Sequence, residues 1–67
     1  MSISTLSPRE AQIIKMLWND HTQKEIYRTL GISRWTVQTY IYRARKKLGA
    51  DTITGALAKA HDLGIVG

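Results

Sequence analysis

The side chains best suited to chemistry in this sequence lie on one helix-length segment, and they are suited to binding rather than to catalysis. At helical spacing, one face of residues 34–48 carries Trp35, Gln38, Thr39, Tyr42, Arg43 and Lys46. A Gln amide can pair with two atoms of adenine, and a Thr side chain can touch the methyl group of thymine. Arg and Lys neutralise phosphates. Together these residue types indicate contact with nucleic acid, and an ordinary exposed helix surface is the alternative.

Positive charge is concentrated in the same part of the chain. The 67 residues carry ten Lys and Arg against five Asp and Glu, a formal net charge of +5. Seven of those ten cations but only one acidic residue, Glu25, lie between positions 24 and 47, which gives this stretch +6 and the remainder −1. A basic excess confined to one segment is typical of a phosphate-binding surface. A solvated basic face is the simpler alternative.

Four helices are predicted from start signals, end signals and apolar periodicity. The start signals are the capping pairs Ser7 with Glu10 and Thr22 with Glu25, the N-cap Ser33, and either Asp51 or Thr52. Glycines that can end a helix in the left-handed conformation are Gly31, Gly49 and Gly64. The last three helices are expected at Thr22–Leu30, Arg34–Leu48 and Ile53–Leu63, with Leu63 closing the apolar stripe of the last. Residues 1–5 form a short polar lead that we expect to be mobile.

The second and third predicted helices are joined by Gly31-Ile32-Ser33. Two helices joined by a three- or four-residue turn containing Gly form a helix-turn-helix, whose second helix fits the DNA major groove. The third helix has apolar residues at spacings of four, three and four, namely Val37, Ile41, Ala44 and Leu48. These positions predict a core-facing stripe, so that the polar and aromatic face remains outside.

Several other classes of function lack the residues that they need. The sequence has no Cys, which excludes disulfides, thiolate metal sites and Cys nucleophiles. It has no phosphate-cradling Gly-rich loop, and His21 and His61 are too far apart in sequence to show a paired ligand spacing. No apolar run approaches the roughly 20 residues needed to span a bilayer. We therefore expect no enzyme activity, no cofactor, no metal and no membrane association.

Short motifs in a fixed order resemble the LuxR/FixJ-type DNA-binding domain. They are Leu6-Ser7-Pro8-Arg9-Glu10, Lys24-Glu25-Ile26, Leu30-Gly31-Ile32-Ser33, Thr36-Val37, Lys47-Leu48-Gly49, and Ala60 with Leu63-Gly64-Ile65. The resemblance implies one all-α domain over residues 1–67, with four helices, of which the third reads the major groove and the fourth mediates dimerisation. Residues 42–48 resemble, more weakly, the end of sigma-factor region 4, a related helix-turn-helix. For a chain of this length the resemblance implies a standalone member, controlled through its expression or by a partner.

The resemblance also assigns roles to residues. Gln38, Thr39 and Tyr42 match the base-facing positions of the family. Contacts to the DNA backbone or groove are expected from Lys24, Arg34, Trp35, Thr36, Arg43 and Lys46. Two of these have local alternatives, because Trp35 can pack on the turn and Thr36 can bond to the nearby backbone.

The sequence departs from the family at several positions. Tyr27 stands where the family has a small Ala, and Ala44 stands where it has a larger aliphatic residue. We hypothesise that these two changes offset each other in volume. Asp20 replaces a turn Gly, and Gln38 and Tyr40 replace the Lys and His that are frequent in the family. The base preference of other members is therefore not transferred to this chain.

The predicted partners follow from these surfaces. Ala58, His61 and Asp62 on the outer face of the fourth helix form the candidate dimer surface, and its small area predicts a weak homodimer. The predicted function is sequence-specific transcription regulation through double-stranded DNA, in the cytoplasm with the nucleoid. The alternative is a protein-interaction module that binds or titrates a larger regulator or RNA polymerase.

Overall fold

The computed structural model describes residues 6–67, and this part of the chain is built from helices and turns without a β-strand. The helices are α1 (Pro8–Trp18), α2 (Gln23–Leu30), α3 (Arg34–Leu48) and α4 (Ile53–Asp62). The all-α, four-helix prediction is confirmed. The expectation that residues 1–5 are mobile falls outside the described residues.

Side-chain caps set where the helices begin. The hydroxyl of Ser7 accepts from the backbone N–H of Glu10 at 3.2 Å, and the Glu10 carboxylate accepts from the N–H of Ser7 at 2.9 Å. Thr22 and Glu25 exchange the same two bonds at 3.1 and 2.8 Å. These reciprocal bonds satisfy backbone donors that a helix start leaves free. Between the two candidates for the start of α4, Thr52 is the cap, and its hydroxyl accepts from the N–H of Gly55 at 2.9 Å.

All four helices end in the same way, with one residue in the left-handed conformation. This residue has φ of 69° at Asp20, 67° at Gly31, 69° at Gly49 and 75° at Gly64. The N–H that follows each of them donates to a carbonyl five residues back, as from Ile32 to Tyr27 at 3.1 Å. Glycine adopts this conformation without a Cβ penalty. Among residues 6–67, Asp20 is the one non-glycine residue with positive φ, so the first of the four ends carries the strain.

The core consists of two clusters that share α1 and α3. One contains Ile13, Ile26, Val37 and Ile41, and joins α1, α2 and the first half of α3. The other contains Ile14, Ala44, Leu48, Ala56, Ala60 and Val66, and joins α1, α4 and the second half of α3. The adjacent residues Ile13 and Ile14 therefore serve different clusters. Both ends of α3 are anchored, which fixes the direction in which its other face points.

Two expectations about the core need correction. Leu63 is exposed and lies beyond the end of α4, because the turn at Gly64 redirects the chain and buries Val66 instead. Tyr27 packs on the cluster around Ile13, whereas Ala44 belongs to the other cluster. The large side chain of Tyr27 and the small one of Ala44 therefore lie in different clusters, so the two changes do not offset each other in volume at one site.

Within residues 6–67, none of the helices has the length and apolar character of a bilayer-spanning segment.

Candidate nucleic-acid interface

The face of α3 that points away from the core carries the residues predicted for DNA contact. We call Trp35, Gln38, Thr39, Tyr42, Arg43 and Lys46 the α3 outer face. Trp35 is 76% exposed and Tyr42 is 52% exposed, although both are large aromatic residues. Gln38, Arg43 and Lys46 are also exposed, and Thr39 is half-buried. The structure thus brings the predicted α3 residues together on one accessible surface.

Local hydrogen bonds at the start of α3 fix two of its hydroxyl side chains. The Thr36 hydroxyl lies 2.9 Å from that of Ser33, which also accepts from the Thr36 N–H at 3.0 Å. The Thr39 hydroxyl donates to the carbonyl oxygen of Trp35 at 3.1 Å. The Thr36 hydroxyl therefore has a local partner, but that partner is the side-chain hydroxyl of the N-cap residue rather than the backbone.

Tyr42 lies beneath two cations. The guanidinium of Arg45 is 5.7 Å from the centroid of its ring, and the Lys46 Nζ is 5.5 Å from it. Arg45 is held in turn by its Nη1, which donates to the carbonyl oxygen of Asp51 at 2.6 Å. Cations within about 6 Å of a ring face are attracted to it, which orders both partners. Arg45 has no role in the prediction from sequence, although its i, i+3 spacing from Tyr42 is the available signal for this contact.

The remaining predicted cations lie at the starts of helices. Lys24 is exposed at the second position of α2, and Arg34 is exposed at the first position of α3. Helix N-termini carry partial positive charge, so these two side chains add to an existing preference for anions. Among residues 6–67, no group of three or more His, Cys, Asp or Glu side chains could hold a metal ion.

Lys47 differs from its neighbour Lys46, because its ammonium group pairs with a buried acidic side chain of α1. Its Nζ donates to Oε1 of Glu10 at 2.8 Å, and Glu10 is only 2% exposed. Burial alone would raise the pKa of Glu10. The bonds from Lys47 and the Ser7 N–H, with the charges of Lys47 and Arg43, outweigh burial and lower that pKa below its ordinary value of 4.5. In the sequence, capping alone accounts for Glu10, so its pair with Lys47 is not predicted.

The predicted dimer residues lie together on α4. Ala58, His61 and Asp62 are all exposed. The His61 ring stacks on Trp18 from the end of α1, with centroids 5.2 Å apart and planes 18° from parallel. This contact joins α4 to α1 within one chain, so His61 presents only part of its ring to a partner.

Comparisons with known proteins identify the family to which this fold belongs. The GerE family, described as bacterial regulatory proteins of the luxR family, matches residues 4–60. The quorum sensing-dependent transcriptional regulator VjbR of Brucella abortus is 43% identical over 63 residues, which cover 94% of this chain and 24% of that protein. The transcriptional regulatory protein MctR of Rhizobium johnstonii is 41% identical over 61 residues, which cover 91% of this chain and 28% of that protein. The solved structure of the transcription factor GerE superposes with a TM-score of 0.88 at 31% identity, covering 100% of this chain and 97% of that one.

The fold and the comparisons define a helix-turn-helix domain of the class used in transcription regulation. The chain belongs to the luxR family of bacterial regulatory proteins. It spans about a quarter of the length of the curated relatives that it matches.

Proposed function

We propose that this chain is a sequence-specific DNA-binding module that inserts α3 into the major groove to regulate transcription. One observation carries the proposal: the α3 outer face is accessible, while both halves of the opposite face are anchored in the core. A helix held in this way keeps its outer side chains in a constant register against base edges. The basic surroundings supply the sequence-independent attraction to phosphates.

Roles within the face divide by chemistry. Gln38 and Thr39 contact base edges, and Tyr42 reaches a base edge or a phosphate. The contacts to the DNA backbone or the groove come from Lys24, Arg34, Trp35, Thr36, Arg43 and Lys46. Positioning contacts raise affinity for any duplex, whereas base contacts decide which sequence is preferred.

Selection of bound duplexes from a random pool at about 0.15 M salt tests the proposal. An enriched sequence is expected, and Gln38→Ala should lower affinity for it by about 1–3 kcal/mol while relaxing the preference at one base pair. Arg43→Ala should weaken binding to every duplex. Gln12→Ala on the exposed side of α1 is the matched control and should bind as the parent chain does.

Unchanged affinity in both Gln38→Ala and Arg43→Ala would remove α3 from the interface. A failure to bind any duplex more tightly than about 10⁻⁴ M, the weak end of typical non-specific affinity, would contradict DNA binding itself. That outcome would favour a module that binds or titrates a larger regulator or RNA polymerase.

The α4 surface extends the proposal to assembly on DNA. Ala58, His61 and Asp62 are exposed beside one another, and a small residue at position 58 allows close helix approach. We assign to this surface a weak homodimer that forms on two half-sites about one helical turn apart. The proposal locates the chain in the cytoplasm with the nucleoid, where its DNA partner lies.

A further inference from the structure

The α3 outer face contains a shallow depression with a nearly all-carbon lining. Its walls are Trp35, Gln38, Thr39 and Tyr42, which lie within two turns of one helix. Trp35 and Tyr42 are the most exposed of the large hydrophobic residues in the described part of the chain. An exposed apolar concavity among polar residues is more informative than a single exposed side chain, because burial of such surface is favourable.

The orientation of Thr39 makes the depression more apolar than its sequence suggests. The hydroxyl hydrogen of Thr39 is committed to the carbonyl oxygen of Trp35 at 3.1 Å. With the hydroxyl held against the helix backbone, the γ-methyl group is the part of the side chain left for an external partner. Thr39 therefore contributes a methyl group where its residue type alone would allow a polar contact.

The far wall of the depression is held in place. Arg45 and Lys46 both lie within 6 Å of the Tyr42 ring centroid, and Arg45 is tied to the carbonyl oxygen of Asp51. These contacts restrict the ring without filling the depression. They also place positive charge beside it, so a ligand with an apolar group close to phosphates matches the surface.

The major groove offers one such apolar group. Its base edges present hydrogen-bond donors and acceptors, except for the C5-methyl group of thymine. Gln38 also lines the depression, and a Gln amide can pair with an adenine, whose partner is thymine. We propose that Trp35, Thr39 and Tyr42 form a site for the C5-methyl group of a pyrimidine, which makes thymine at one position of each half-site a specificity determinant. This inference rests on the proposed insertion of α3 into the major groove.

Base analogues test the methyl contact directly. In the duplex obtained by selection, each thymine is replaced in turn by deoxyuridine, which removes only the methyl group. One position in each half-site should lose affinity by about fourfold, the effect of one buried methyl group. A duplex with 5-methylcytosine at that position should bind about fourfold more tightly than one with cytosine, because 5-methylcytosine carries the same C5-methyl group as thymine.

Protein variants locate the contact in this depression. Thr39→Ser keeps the hydroxyl and removes the γ-methyl group, and Trp35→Ala removes a wall. The deoxyuridine penalty is the ratio of the affinities for the thymine and the deoxyuridine duplex. In either variant this ratio should fall from about four toward one, as expected for coupled partners. Thr54→Ser on the exposed side of α4 is the matched control and should leave the penalty unchanged. Circular dichroism of each variant checks that the helices are retained.

The outcomes separate this inference from the function on which it rests. A selected half-site without thymine, equal binding of thymine and deoxyuridine at all positions, equal binding of cytosine and 5-methylcytosine, or a penalty unchanged in both Thr39→Ser and Trp35→Ala would overturn the methyl site. Sequence-selective binding would survive all of these results. An absence of selected duplexes would instead contradict the proposed function.

Discussion

The Nζ of Lys47 lies 2.8 Å from Oε1 of Glu10, and this pair joins the last turn of α3 to the first turn of α1. The same carboxylate oxygen accepts from the N–H of Ser7, so the cap of α1 and the end of α3 share one acceptor. Arg43 lies one turn before Lys47 on α3, and its charge also lowers the pKa of Glu10. A single acidic side chain therefore adds a polar link between α1 and α3 to the apolar packing of the two core clusters.

Replacing Glu10 should destabilise the domain more than replacing Glu25, its counterpart at α2. Glu10→Gln removes the charge that Lys47 contacts in a partly buried pair, and hydrogen bonds to charged groups contribute about 1.5–3 kcal/mol each. Glu25→Gln disturbs an exposed capping box and should cost less. Urea unfolding of both variants measures the difference. Equal losses for the two would mean that Lys47 adds nothing beyond capping.

The stability of the domain should fall on acidification through the same group. Because the pKa of Glu10 is lowered in the folded state, its contribution is fully present above the ordinary value of 4.5 and is lost as the pH falls through the lower folded value. Unfolding free energies measured between about pH 7 and 3 should drop more steeply for the parent chain than for Glu10→Gln. Parallel curves would contradict a lowered pKa.

The adjacent residues Lys46 and Lys47 should respond differently to removal. Lys46→Ala should reduce the magnitude of the slope of log affinity against log salt by about 1, the change expected for one lost phosphate contact. Lys47→Ala should leave that slope nearly unchanged and lower the unfolding midpoint, since its charge is already balanced by Glu10. Titrations at several salt concentrations, paired with urea unfolding, test the contrast. The reverse pattern would assign the phosphate contact to Lys47.

The strained end of α1 offers a stabilising substitution. Asp20 has φ of 69°, and an L-residue in this conformation is disfavoured by roughly 1–2 kcal/mol, less for Asp than for most residues. Asp20→Gly should therefore raise the free energy of unfolding by up to about 1 kcal/mol. Gly31→Ala is the converse control, and it should lower stability, although nothing within 4 Å would meet the added Cβ. A loss of stability in Asp20→Gly would show that the side chain outweighs the backbone strain.

Dimerisation through α4 should be separable from half-site recognition. Ala58→Glu places a charged side chain in the candidate surface and should abolish cooperative binding to two half-sites while leaving affinity for one half-site unchanged. Gln12→Glu adds the same charge on α1 and serves as its control. Gel-shift titrations on duplexes with one and two half-sites distinguish the cases. Retained cooperativity in Ala58→Glu would remove Ala58 from the interface.

Local sequence signals were sufficient for the helices and for the accessible face of α3. Ser7, Thr22 and Ser33 act as N-caps as predicted, because a cap depends on residues only two or three positions away. The core stripe of α3 is likewise confirmed, since helical period alone decides which side chains share a face. These features together locate the candidate interface.

Contacts between distant segments were not predictable in the same way. Glu10 and Lys47 are 37 residues apart, and Glu10 already had a sufficient local explanation as a capping residue. The stack of Trp18 on His61 depends on how α1 and α4 pack, which no local pattern encodes. Leu63 continues the apolar spacing of α4, which predicts a buried side chain. The helix ends at Asp62, however, and after the turn at Gly64 it is Val66 that is buried, while Leu63 is exposed.

The division of the core between Ile13 and Ile14 bears on how the domain unfolds. Both clusters contain residues of α1 and α3. If either helix leaves its place, both clusters therefore lose packing contacts. Such a chain has no half that can melt by itself, and small domains of this kind lose structure in a single all-or-none transition. The α3 outer face is therefore expected to be lost together with the rest of the domain when the protein unfolds, rather than separately from it.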